Sequence, residues 1–425
     1  MTYNATLSPS PALRASQALK AAASLSLGSL CVQAASAQNP ALTVDGPAEI
    51  VIDWSQPDPC MTADPYRFGD VPVNAFRTND GNIHLRWGHG GELCFLSPTG
   101  IGAAYELVGP DFNSLVDTCQ STFLSSFDHD HKQFNDQEWL QSYWLEQKTS
   151  GLERVAGLIH MEYHSECLTT GLGINAELNP RSITLASSTD GGASFQQAPS
   201  PRQLVATTPY RWIPSTPNIG NCEGPTNILE KDGYYYSMFR FSAYASASSP
   251  NPIPERLTVM RTTDPFRPGS WRAYGGDPAA QGSGLFDVNF KNPYTQTITN
   301  PQDHLPRAVN INQLFDGWGI YWSTFANQFV SIGIGRAPAT GIFGIYYSYS
   351  TDMINWTEPV VVPGLELDMT PQVFASNGVA YPTLIDHDST RVNFDWVDDT
   401  VHLYLTRLKG NAYSREMIRI PLRFL

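Results

Sequence analysis

Charge is scarce in this chain: only 16% of its 425 residues are Asp, Glu, Lys or Arg, and acids outnumber bases 40 to 26. The few bases form no cluster, so the basic surface that nucleic acid or an anionic membrane would require is missing. Beyond the N-terminus no run is apolar enough to cross a bilayer. Cysteine is sparse, with 6 residues and no C-x-x-C pair, which argues against a zinc site. Helical periodicity is also wanting: Asp111–Phe123 and Asp136–Tyr143 are the nearest helix candidates, and neither matches the strand-like runs in prominence. What is abundant is 33 Gly, 32 Pro and 12% aromatic residues, a balance suited to many short strands joined by tight turns.

The N-terminus reads as an export signal. Arg14 and Lys20 precede a small-residue and leucine stretch, Ala21–Val32, which ends at the A-x-A pattern Ala35-Ser36-Ala37. Residues 1–37 are therefore expected to be a signal peptide, and 38–425 a single exported domain, secreted or periplasmic. Cleavage would leave Cys60, Cys94, Cys119, Cys167 and Cys222 as disulfide candidates with one left over. Cys222 directly precedes Glu223 and is either the odd thiol or a tether for that loop.

From residue 70 onward one pattern recurs: strand, Gly or Asp turn, second strand, then a third strand ending in a polar turn. The first unit runs Val71–Arg77, turns at Asn79-Asp80-Gly81, and returns through Ile83–His89. The second has Glu138–Glu146, Arg154–His164 and Ser182–Ser187; the third has Glu223–Leu229, Tyr234–Phe241 and Arg256–Thr262. The fourth has Leu305–Leu314, a turn at Asp316-Gly317, Trp318–Phe325 and Phe343–Ser350. The fifth has Tyr381–Ile385, Thr400–Arg407 and Arg415–Pro421, with Ala48–Trp54 as an extra strand that closes the ring. Five such units predict an all-β, five-bladed β-propeller.

A second repeat supports this. Ser188-Thr189-Asp190-Gly191-Gly192-Ala193-Ser194-Phe195 fits the turn pattern S-x-D-x-G-x-[ST]-[WF], and segments around Asp264 and Asp352 are looser copies. In such a turn the Asp accepts backbone N–H bonds, Gly takes a positive φ and the aromatic packs between sheets. Asp190, Asp264 and Asp352 are therefore structural.

A propeller brings the starts of its first strands, and the ends of its second strands, to one face. Those positions include Asp70, Asp136, Glu138, Glu223, His304 and Tyr381, together with His89, His160, Glu162, His164 and Arg240. Strand alternation puts His160, Glu162 and His164 on one face. Carboxylates, His and Arg on this list predict a polar site, in which His89, His160, Glu162, Arg240 and His304 bind substrate. The spacing calls for no cofactor and no catalytic metal; a structural calcium ion is the one ion the reading leaves room for. Oligomeric state is not legible.

The stretch Cys222-Glu223-Gly224-Pro225, followed by Asp232-Gly233-Tyr234-Tyr235-Tyr236, resembles the EGP segment and hairpin of the five-bladed propeller glycosidases: the arabinanase, β-xylosidase and invertase-like group. The resemblance implies a glycoside hydrolase acting on a poly- or oligosaccharide. By it Glu223 is the general acid, Asp70 the first-unit base or nucleophile with Asp64 as rival, and Glu138 the third acid. Glycosidic cleavage needs one protonated and one ionised carboxyl. Three other readings stay open: a sialidase-like enzyme, suggested by the Asp190 turn; a polysaccharide lyase using Tyr, His and a funnel Arg; and a propeller that binds glycans without cleaving them.

Overall fold

The computed structural model describes residues 39–56, 60, 67–89, 102–126, 128, 130–147, 151, 153–164, 180–212, 220–243, 253–276, 285–313, 315–336, 341–367, 378–410 and 414–425. Among them there is no α-helix. Asp111–Phe123 holds no helix, and Asp136–Tyr143 lies largely in the strand Gln137–Gln147. The strands form successive antiparallel groups. The first is Asn74–Arg77, Ile83–His89 and Ala103–Gly109; the second is Gln137–Gln147, Glu153–Glu162 and Arg181–Ser188. The third is Asn221–Glu223, Tyr234–Ala243 and Ile253–Thr262, joined to the second by a single parallel bridge, Arg181 to Asn221. The fourth is Phe315–Ser323, Gln328–Arg336, Phe343–Ser350 and Val360–Leu367. In the last group Val379–Ile385 pairs with Thr400–Leu408 and that strand with Arg415–Phe424, whose other edge takes both Leu42–Val44 and Glu49–Asp53.

Period-two alternation buries both faces of these sheets. In Glu153–Glu162, Val155, Ile159 and Met161 pack toward the first group while Ala156 and Leu158 pack toward the third. The apolar side chains gather in cores between successive groups, first with second, second with third, third with fourth and fourth with fifth. A further core joins the fifth back to the first through Trp54, Leu85, Trp87, Tyr404 and Met417. The turns after the third strands behave as expected. Asp190 Oδ1 accepts from Ser194 N at 3.0 Å and Asp352 Oδ1 from Asn355 N at 2.7 Å, and Phe195, Trp271 and Trp356 are buried beside them.

The innermost strands have free backbone edges, and a backbone group left unpaired there would be costly. Side-chain amides and a phenol satisfy them from group to group. Asn74 Nδ2 donates to Gln141 O (2.8 Å), Gln141 Nε2 to Pro225 O (2.7 Å), and Asn227 bonds Ile320 O and N (2.7 and 2.8 Å). Tyr321 Oη accepts from Leu384 N at 2.9 Å. At the far ends of these strands the segment from Asp386 to Asp399 crosses over. Val392 O accepts from Arg77 N, Asn393 bonds both N and O of Leu145, Asp395 accepts from Glu230 N, and Trp396 pairs with Trp322. Truncating Asn393 to Ala strips both Leu145 groups of their partner, and a loss of about 2 kcal/mol is expected. A lower urea midpoint with an unchanged m-value would report it.

The fourth group departs from the sequence reading. Among the described residues of the segment expected at Leu305–Leu314, 305–313, there is no strand, and Asp316-Gly317 is not a hairpin turn. The innermost strand is Phe315–Ser323 and runs through both residues, with a register shift between Gly317 and Gly319. The Asp-Gly pair imitates a turn in sequence, while the tertiary pairing with Gln328–Arg336 keeps it extended. The third strand of the first group, Ala103–Gly109, is likewise not among the sequence-based strands. Cys60 and Cys119 form a disulfide and Cys222 is a buried free thiol. Asp64, Cys94 and Cys167 lie outside the described residues.

Candidate active site

The starts of the innermost strands meet in one ring of side chains. Asp70 precedes the first group, and its carboxylate accepts three bonds: Arg415 Nη1 at 2.6 Å, Tyr381 Oη at 3.0 Å and Trp139 Nε1 at 3.2 Å. All three partners are donors, the set that an ionised carboxylate accepts, and the side chain remains 23% exposed. Tyr381 is held protonated: burial, then the Asp70 charge, raises its phenol well above the usual range. Its φ of 58° is a left-handed backbone for a non-glycine residue, and such strain costs about 1–3 kcal/mol and collects at functional sites.

From Asp70 the ring continues through the Trp139 indole to His160, ring centroids 5.4 Å apart. Gly224 N donates to His160 Nδ1 at 3.1 Å, so Nδ1 is the unprotonated nitrogen and Nε2–H donates to Glu162 Oε1 at 2.9 Å. His164 Nε2 lies 2.9 Å from Glu162 Oε2, and Arg181 Nε lies 2.8 Å from Glu162 Oε1. Burial alone would raise the Glu162 carboxyl, but Arg181 and the two histidines outweigh it and hold the group well below the carboxylate range. Alternation explains the placement: His160 and Glu162 share the strand face of Ala156 and Leu158, which is turned toward the third group.

Arg181 reaches across the second and third groups and pairs through Nη1 with Glu223 Oε2. Glu223 is 3% exposed. Burial pushes its pKa up, yet Arg181 and then Arg240 dominate, and the net shift is downward. Gly224 is needed as glycine here: its φ is 62°, and a Cβ would sit 2.8 Å from Arg240 Nη2. Arg240, the cross-strand partner of Glu223, bonds Asp316 Oδ2 at 2.8 Å and lies 4.4 Å over the Trp318 ring. Trp318 meets Tyr381 edge-on with centroids 5.0 Å apart, which returns the ring to Asp70.

His160, Glu162 and Glu223 bring their donor atoms within 4.8 Å of one another, a spacing that could suit a metal ion. The cation neutralising both acids is instead the Arg181 guanidinium, ion-paired with each, so the donor set is already occupied by the protein's own charge.

The sequence-based residues thus divide. Asp70, His160, Glu162, Glu223 and Arg240 share the ring. His89 is one layer out, stacked on Tyr105 at 5.7 Å and lying 6.0 Å from Phe68, which itself lies under Arg415. His304 bonds the Asn289 carbonyl on the connection between the third and fourth groups, with no contact to the ring among the described residues. Glu138 stands apart. The strand face it shares with Leu140 turns toward the first group, and its carboxylate accepts from Ser126 N (3.0 Å) and Gln197 Nε2 (2.6 Å). Trp139, one residue on, is the member of that strand that reaches Asp70.

Burial, with the nearby Asp136 charge, raises Glu138 to about 7. A carboxyl raised in the folded state binds its proton more tightly there, so stability falls as pH climbs from about 4.5 to above 7. Glu138→Gln is therefore expected to raise the melting temperature at pH 8 relative to wild type and to narrow the gap at pH 5. Thermal unfolding across that range checks it.

Arg181, Glu255, Asp316, Trp139, Trp318 and Arg415 are ring members or neighbours that sequence reasoning did not assign to the site. Arg181 carried a signal, since it begins the third strand beside the His160–His164 run, and Asp316 was masked by its turn-like Gly.

No family model matches this chain, and no curated protein does. Solved structures similar to it include the catalytic domain of the Coprinopsis cinerea GH62 α-L-arabinofuranosidase (9% identity, 90% of this chain and 97% of that one, TM-score 0.42). Others are the α-L-arabinofuranosidase of Lactobacillus brevis (7%, 83% and 90%, 0.41) and the Bombyx mori GH32 β-fructofuranosidase (10%, 82% and 58%, 0.40). These scores transfer no residue roles to the present chain.

Proposed function

We propose that residues 38–425 form a closed five-bladed β-propeller and that its ring is the active site of a glycoside hydrolase acting on a neutral poly- or oligosaccharide. Closure is supported by the core that joins the last sheet group to the first and by the amide relay along the innermost strands. The observation carrying the enzymatic reading is the division of carboxyl groups around the ring. Asp70 stands on one side; Glu223, facing a second carboxyl from Glu255, stands on the other, and the aromatic rings of Trp139, Trp318 and Tyr381 lie between. Glycosidic cleavage asks for this division, one ionised group to receive the anomeric carbon or deprotonate water and one proton source for the leaving oxygen.

A neutral substrate follows from charge. Arg181, Arg240 and Arg415 are each paired with the chain's own acids, Glu162 with Glu223, Asp316, and Asp70 respectively. None of these three guanidiniums is left without an acid partner to draw in a substrate carboxylate, which weighs against the sialidase-like reading. The Cys60–Cys119 disulfide fits an oxidising compartment and the export signal read at residues 1–37.

The test is reducing-sugar release from a panel of neutral glycans by the mature protein beside Asp70→Asn. Release lost in the variant supports the hydrolase. Equal release by the variant rejects the assignment of Asp70, and glycan binding with no release by wild type identifies a binding propeller.

A further inference from the structure

The sequence motif points to Glu223 as proton donor, but its surroundings are wrong for that task. It is 3% exposed, its Oε2 is bonded to Arg181, and Arg240 stands beside it. A donor must touch the leaving oxygen and must carry a proton at working pH. Glu255, on Ile253–Thr262, is the neighbouring carboxyl that opens on a cavity. Its side chain lines a cavity of ≈150 Å3 between the third and fourth groups whose wall also includes Arg240, Arg256, Asn312, Gln313 and Asp316. Its carboxyl faces that of Glu223. Two facing carboxyl groups repel when both are ionised, which favours a proton on one of them, and the two guanidiniums beside Glu223 keep the charge there.

We propose that Glu255 is the catalytic proton donor of this site and that Glu223 is a positioning residue that orients it. The proposal rests on the hydrolase reading. As the bond between the anomeric carbon and the glycosidic oxygen breaks, its electron pair stays on that oxygen and takes the Glu255 proton. The anomeric carbon bonds either to Asp70 or to a water that gives its proton to Asp70. In the first case a water then attacks the anomeric carbon, the bond to Asp70 breaks and the water's proton returns to Glu255; in the second Asp70 releases its proton to solvent and Glu255, left against the Glu223 charge, takes one up.

The groups facing Glu255 agree with this direction. Burial raises it first and the Glu223 charge second, against Arg240, with Asp316 adding to the rise, to about 7. Proton donation is therefore available below about pH 7 and lost above it.

Two measurements decide the matter. In protein carrying 13C-labelled glutamate carboxyls, two groups should titrate near neutrality, Glu138 and Glu255. Glu255→Gln should remove one of them, and Glu223→Gln should move that one downward. Persistence of both titrations in Glu255→Gln overturns the proton on Glu255, whether or not the protein is active. On aryl glycosides of the sugar that wild type releases, Glu255→Gln should slow a poor leaving group by about 10²–10⁴-fold and spare a good one. It should also abolish the alkaline limb near pH 7. Equal slowing on both leaving groups, or no slowing, overturns the donor role while the hydrolase stands. Silence of wild type on every glycan fails the hydrolase itself, and the donor role with it.

Discussion

Asp70→Asn should reduce turnover by at least about 10³-fold while leaving the fold and substrate affinity nearly unchanged, because the reaction loses its nucleophile or base. The amide matches the carboxylate in shape but not in charge or in acceptor number. Its NH2 would have to face one of three donors, Arg415 Nη1, Tyr381 Oη or Trp139 Nε1, so one existing bond is lost and Arg415 is left without its counter-ion. The effect on activity should therefore fall on kcat, with circular dichroism close to wild type and a lowered melting temperature, since Arg415 is buried and loses its counter-ion. Restored turnover when azide is added to the Asn variant would further mark Asp70 as the group that meets the anomeric carbon. A variant keeping more than about a tenth of wild-type turnover would remove Asp70 from the chemistry.

The largest effect on stability is expected from Arg181→Met. This guanidinium holds Glu162 and Glu223 together, two carboxyls of which Glu223 is 3% exposed and Glu162 lies between His160 and His164 and forms an ion pair with Arg181. Removing one partner of a buried ionic cluster leaves uncompensated charge and costs about 3–5 kcal/mol. The pH dependence follows from sign. Glu162 and Glu223 are depressed in the wild type, so their contribution is present above about pH 4.5 and is lost as pH falls through the folded values. In the variant both carboxyls rise and protonate readily. The deficit should therefore be greatest at pH 7–8 and shrink toward pH 4, as denaturant unfolding at several pH values would show. Adding Glu162→Gln should recover part of the loss, since one stranded charge is removed.

Several elements were legible before any coordinate. Ile83–His89 and Thr400–Leu408 read clearly because alternating apolar residues between turn signals leave few alternatives. The Asp190 and Asp352 turns read from local chemistry, since a side chain two to four residues from its backbone partner needs no tertiary help. His160 and Glu162 were paired by alternation alone, and Glu223 and Gly224 by a short motif. The placement of Glu138 away from the ring and the extended backbone at Asp316 were not legible, for the opposite reason. Which face of Gln137–Gln147 turns inward depends on register, and the shift between Leu140 and Ser142 resets it within the strand. Asp316-Gly317 stays extended because Gln328–Arg336 pairs with it, a contact that no local pattern announces.

By itself, then, the sequence determined the all-β class, the recurring strand units, the polar turns and a set of His, Glu and Asp residues at strand starts, because each depends on periodicity or on neighbours a few residues apart. Only the tertiary structure decided which of those groups meet. Arg181 lies 42 residues from Glu223, and Tyr381 lies 311 from Asp70. Their pairing is set by how the sheet groups pack and by the cost of leaving a buried charge without a partner, and a single chain's sequence records neither.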